Sequence, residues 1–361
     1  MKKLLLLAFA AWALSACSDD DNGMPAPGDD DKYKGGFYVM NEGSFGHTPA
    51  SVNYYDAENG WSLDIFQANN PGEELGRTGS VAVCSDDNMY IVTKETPFLV
   101  EVGLSDFVKK SALPDGVFDV QARSFALIDD KHGVITTTNS AYAVSLDPLK
   151  LADSPFYEGN PMSLAGDVAV AGGYVFLLGS ANEDNAIMAY DASTLKFVKN
   201  VGAATTGFAK AAGALWAGNK EKLVRIDVSG LSSEEIALGD GLSVYYNQWA
   251  YTPTGLQASK TGDALYFANG TTSGYDIYKY TVSTKTASKI FSAPVVDGTQ
   301  YGVYGSGVNV DPDTGDLYLV YTSDYGAHTD IYIVDDNTGA QKQMFPYTDE
   351  AYWYPSMFVF R

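Results

Sequence analysis

Residues 80–102 read SVAVCSDDNMYIVTKETPFLVEV, which parses as three short strands in a row. SVAVC runs into a polar turn at Ser85–Asn88, MYIVT follows, Lys94–Pro97 reverses the chain, and FLVEV returns. Two-residue periodicity broken at short intervals by turn chemistry predicts an antiparallel meander.

The middle strand of this unit recurs. Counting MYIVTK (89–94), its seven copies include GFYVMN (36–41), HGVITTTN (132–139), YVFLLGS (174–180), ALWAGN (214–219), ALYFANG (264–270) and DLYLVYT (316–322). Each is followed by an alternating strand, such as SVNYYD (51–56), AIMAYD (186–191) or IYIVDD (331–336). Every copy but the first is also preceded by one, as in SFALID (124–129) and GVNVDP (307–312). The starts lie roughly 40 to 52 residues apart, the spacing of propeller blades. With no helical pattern between the meanders, the fold class is all-β, a seven-bladed β-propeller. The first copy lacks a leading strand while SMFVF (356–360) is left over at the end. This C-terminal strand is therefore expected to join the first blade and close the ring, hiding edges that would template aggregation.

The chain has 361 residues, 45% of them hydrophobic, so it can bury a large core. Its formal net charge of −22 argues against binding nucleic acid, which needs a basic face to displace counterions. Residues 1–16 have the form of a signal peptide: Lys2 and Lys3, then eleven apolar residues from Leu4 to Leu14, too few to span a bilayer. The tetrad Leu14-Ser15-Ala16-Cys17 resembles a bacterial lipobox, making Cys17 the expected lipidation site. The acidic run after it resembles a tag that exports lipoproteins to the outer face of the outer membrane. Residues 17–35 are read as a lipid-anchored acidic tether and residues 36–361 as the propeller. Cys84, the other thiol, lies in a strand pattern and is expected to be a small buried hydrophobe.

Propeller connectivity sorts the loops. One face carries the loops between second and third strands and the blade-to-blade connections. The opposite face carries the turn between first and second strands, which places Asp311–Asp316 in a hairpin turn rather than a calcium loop. On the first face the loops are long and aromatic, unlike Lys94–Pro97, which looks too short to reach a ligand and marks its blade as scaffold. The candidate ligand-binding residues there are Arg77, Arg123, Tyr251, Tyr304, Tyr352 and Trp353 around the channel mouth. Phe45, His47, Tyr245, Tyr246, Trp249, Tyr301 and Tyr325 lie further out. Tyr and Trp offer rigid contact area with a polar tip, and Arg can clamp a phosphate or carboxylate. No nucleotide-binding glycine pattern, G-x-S-x-G turn or metal-binding His spacing occurs, so binding without catalysis, cofactor or metal is expected. His47 and His328, with Asp324 and Asp330, are the sole grouping that an enzyme or metal reading could use.

The opening GFYVMNEGSFGHTPASVNYYDAENG, the run GVNVDPDTGDLYLVY and the ending YWYPSMFVF are similar to YncE-like propeller lipoproteins of Bacteroidetes, and especially to the BtuG type. That resemblance spans residues from about 36 to 361. It implies a cell-surface lipoprotein that captures cobalamin (vitamin B12) or a related corrinoid. It further implies handover to a BtuB-like TonB-dependent outer-membrane transporter. The corrin ring would meet Tyr251, Tyr304, Tyr352 and Trp353, with Arg77 or Arg123 at the phosphate. Another bulky ligand, a ferric siderophore, haem or glycan, is the alternative.

Overall fold

A computed structural model describes residues 31–159, 166–181, 184–246, 255–271, 273–323, 328–347 and 354–361. Seven antiparallel meanders form its seven blades. In blade 2 the strands run from inside outward as Gly79–Cys84, Asn88–Thr93, Leu99–Gly103 and Lys109–Ala112. The inner strands of blades 3 to 7 are Ala122–Leu127, Val168–Ala171, Thr206–Ala211, Gln257–Ala258 and Gly302–Val310. Blade 1 borrows its inner strand from the C-terminus: Pro355–Val359 pairs antiparallel with Phe37–Asn41, as the leftover strand required. Each inner strand touches the next all the way round, so the ring is closed.

The second strands of the blades are buried on both faces, and side-chain alternation decides which neighbour each residue meets. In Phe37–Asn41, Phe37 and Val39 pack toward blade 7, whereas Tyr38 and Met40 pack toward blade 2. Met89 and Ile91 likewise face blade 1 while Tyr90 and Val92 face blade 3. One apolar cluster fills each of the seven gaps between blades. At about 1.5–3 kcal/mol for each fully buried large apolar side chain, these gaps hold the ring together.

The turns behave as their composition predicts. Asp311 Oδ1 accepts from the Asp313 amide at 2.7 Å, and Gly315 N–H donates to the Asp311 carbonyl at 2.8 Å, making a hairpin turn. His132 opens the strand that follows another such turn, 2.8 Å from Asp129. Cys84 is half-buried against the cluster between blades 1 and 2, and burial pushes its thiol up to about 12, which leaves it unreactive at neutral pH.

Two features depart from the sequence expectation. A short helix, Ile65–Asn69, links blades 1 and 2: Asp64 caps it by accepting from Gln67 N–H, and Ile65 and Phe66 are buried under it. The end of the expected tether is also docked. Tyr33 is only 4% exposed and packs edge-on against Tyr54 and Phe107; Lys32 N–H donates to Ser105 O at 2.9 Å, and Asp31 pairs with Arg361 at 2.5 Å. These contacts lie at the face of the first-to-second strand turns, so the chain reaches the propeller on the side opposite the long loops. Residues 1–30, with Cys17, lie outside the described residues. Among the described residues no helix is long and apolar enough to cross a membrane.

Candidate functional site

The mouth of the central channel, on the long-loop face, buries a group of charged and polar side chains. Glu42 leaves the second strand of blade 1 and Lys94 the second strand of blade 2; they are 5% and 4% exposed, with Lys94 Nζ 3.9 Å from Glu42 Oε1. Tyr304, near the start of the inner strand of blade 7, donates its O–H to Glu42 Oε2 at 2.6 Å. The Tyr354 ring lies 5.2 Å from the Tyr304 ring, and its carbonyl accepts the Glu42 N–H at 2.9 Å. Arg123, from the inner strand of blade 3, is 3% exposed and donates through Nη2 to Thr138 Oγ1 at 3.2 Å. Four blades converge on this group.

Burial sets its electrostatics. Loss of water raises the Glu42 carboxyl above the usual range, opposed by Lys94 and by the Tyr304 hydrogen bond. Burial also lowers the Lys94 amine; the charge of Glu42 raises it again and that of Arg123 lowers it further. Burying ions is expensive even when they are paired. Their concentration at one mouth makes this the candidate functional site.

A second buried acid stands nearby. Asp167 precedes the inner strand of blade 4 and accepts from Ser124 Oγ of blade 3 at 3.0 Å, from Phe208 N–H of blade 5 at 2.8 Å and from Val168 N–H at 2.9 Å. Desolvation outweighs these three donors and pushes its carboxyl up to about 7.

The residues singled out by sequence do not stay together. Arg123 and Tyr304 are brought together at the mouth. Phe45, 62% exposed, and His47 stand on the surface loop of blade 1. Arg77 sits beside that loop on the rim, held by Glu95 at 3.6 Å and the His47 carbonyl at 3.4 Å, so its charge is already engaged. Tyr246 is half-buried. Tyr245 and Tyr301, read as outer contacts, are 7% and 5% exposed and belong to the apolar cluster between blades 6 and 7. Long loops fold back into the gap and fill it with aromatic rings. Trp249, Tyr251, Tyr325, Tyr352 and Trp353 lie outside the described residues.

Sequence reasoning missed Glu42, Lys94 and Asp167. Blade 2, read as scaffold because its loop is short, nevertheless brings Lys94 to the mouth, since Lys94 directly follows the second strand. A charged residue closing a largely apolar strand, as in FYVMNE and YIVTK, was the available signal.

Solved structures share the fold at low identity. A quinonprotein alcohol dehydrogenase-like protein (BT1487) from Bacteroides thetaiotaomicron superposes with a TM-score of 0.67 at 17% identity, covering 91% of this chain and 78% of that one. AztD from Citrobacter koseri gives 0.55 at 12%, covering 90% and 83%. The dihydro-heme d1 dehydrogenase NirN in complex with DHE gives 0.54 at 11%, covering 90% and 74%. At such identities the likeness speaks to the fold alone. Curated proteins yield no match to the sequence. A family model described as a domain of unknown function, DUF5074, matches residues 35–361.

Proposed function

The chain belongs to the DUF5074 family, and we propose that it is a ligand-capture propeller of the cell surface, with its binding site at the channel mouth around Glu42, Lys94, Arg123 and Tyr304. The ligand is cobalamin or a related corrinoid, delivered to a BtuB-like TonB-dependent transporter. The protein works by binding and release, without catalysis or cofactor, anchored in the outer membrane through Cys17.

The observation that carries this reading is the convergence of buried charged groups from blades 1, 2, 3 and 7 on one mouth. Such a mouth brings donors, an acceptor and aromatic rings together, a combination suited to a large ligand with flat apolar faces and a polar rim. Propeller connectivity leads us to expect the long aromatic loops of the sequence, 239–255 and 346–356, at the same face. Entry of the tether at the opposite face keeps the anchor clear of the mouth.

Equilibrium dialysis of the chain against cyanocobalamin tests the ligand: retention supports the reading, and none at high protein concentration ends it. Radiolabelled palmitate incorporation, lost in Cys17→Ala, tests the anchor separately.

A further inference from the structure

Thr78 precedes the inner strand of blade 2 with a φ of 56°, in the left-handed region. A β-branched residue is an outlier there, because its Cβ crowds the neighbouring carbonyl. Thr78 is also 6% exposed, and its hydroxyl makes no hydrogen bond within the protein. Both features lower stability.

What Thr78 does hold is the ion pair of the mouth. Its carbonyl accepts the Lys94 N–H at 2.9 Å, and the next residue, Gly79, donates its N–H to the Glu42 carbonyl at 3.0 Å. On its other side the Arg77 carbonyl accepts the Glu95 N–H at 3.2 Å. One tripeptide thus grips the backbones that carry both charges, from two different blades.

We infer that Thr78 is a positioning residue for the Glu42–Lys94 pair, its Cβ limiting the freedom of the hydrogen-bonded backbone that sets how the two charges meet at the mouth. Glycine at this position relieves the crowding and removes the buried hydroxyl, but it frees the backbone. Asparagine keeps a Cβ and tolerates the left-handed region. The importance of this role rests on the mouth being the binding site proposed above; its test needs no ligand.

The test is reductive methylation of wild type, Thr78→Gly and Thr78→Asn, read residue by residue by mass spectrometry, with exposed Lys220 as internal standard and thermal melting in parallel. Thr78→Gly is expected to melt no lower than wild type, while Lys94 is modified several-fold faster relative to Lys220. Thr78→Asn is expected to keep Lys94 as protected as in wild type. Unchanged protection of Lys94 in Thr78→Gly overturns the inference, as does a Thr78→Gly protein that melts clearly below wild type or a Thr78→Asn protein that fails to restore protection. A wild type that ignores cyanocobalamin ends the ligand reading and leaves these outcomes standing.

Discussion

Tyr304 and Glu42 are 262 residues apart in sequence and 2.6 Å apart in space, joined by a phenolic O–H donated to a buried carboxylate. The bond links blade 7 to blade 1 across the ring closure, so the clasp that completes the fold also builds the mouth. Tyr304→Phe removes this donor and leaves Glu42 less well solvated by protein. The expected loss of stability is about 1–3 kcal/mol in urea unfolding. A variant as stable as wild type would mean that the carboxyl finds another donor.

Lys94 and Glu42 form a pair that is worth little as a pair and much as a half. Lys94→Met deprives a buried carboxylate of its counter-ion and should cost about 3–5 kcal/mol. Adding Glu42→Gln should recover most of that loss, because the charge that needed compensation is gone. A double mutant no more stable than Lys94→Met would refute the coupling.

Ring closure rests on few residues. Phe358 is 1% exposed in the gap between blades 7 and 1, Phe358 N–H donates to Asn309 Oδ1 at 3.0 Å, and Tyr347 O–H donates to Asn41 Oδ1 at 3.0 Å. Phe358→Ala should destabilise by about 3–5 kcal/mol. Deleting residues 355–361 should unfold or oligomerise the protein, because it exposes the edge of Phe37–Asn41. A monomeric truncation that melts like the full chain would sink this assignment.

Asp167 makes stability depend on pH in an unusual direction. Its carboxyl is raised by burial to about 7, against about 3.9 for an unperturbed aspartate. The native state therefore holds the proton more tightly than the unfolded chain does. Its contribution to stability is fully present below about pH 4, falls as pH rises toward 7 and is lost above it. Unfolding free energies at pH 5 and pH 8 should differ more in wild type than in Asp167→Asn, where nothing titrates. Equal pH dependence in the two proteins would contradict this.

The fold was legible because the second strands are buried on both faces and strands alternate. Phe37, Tyr38, Val39 and Met40 are all apolar, and their period of two assigns them to two gaps. The leftover strand at the C-terminus forced the closure. The site was less legible, since composition of a loop does not say which way its rings turn. Tyr245 and Tyr301 looked like ligand contacts and are core. Glu42 and Lys94 follow directly on strands, a place where charges are commonly solvated; only assembly of neighbouring blades takes water away from them. Burial of a charge is a tertiary property, and the sequence marks it only by the apolar run the charge terminates.

The most direct measurement is calorimetric titration of cyanocobalamin into wild type, Arg123→Ala and Arg77→Ala. Arg123 is buried at the mouth, while Arg77 is held on the rim by Glu95. Saturable binding is expected in wild type, weakened at least about tenfold, or 1.4 kcal/mol, by Arg123→Ala and little changed by Arg77→Ala. No heat in wild type at two temperatures, or Arg123→Ala binding as tightly as wild type, would contradict the placement of the ligand at the channel mouth.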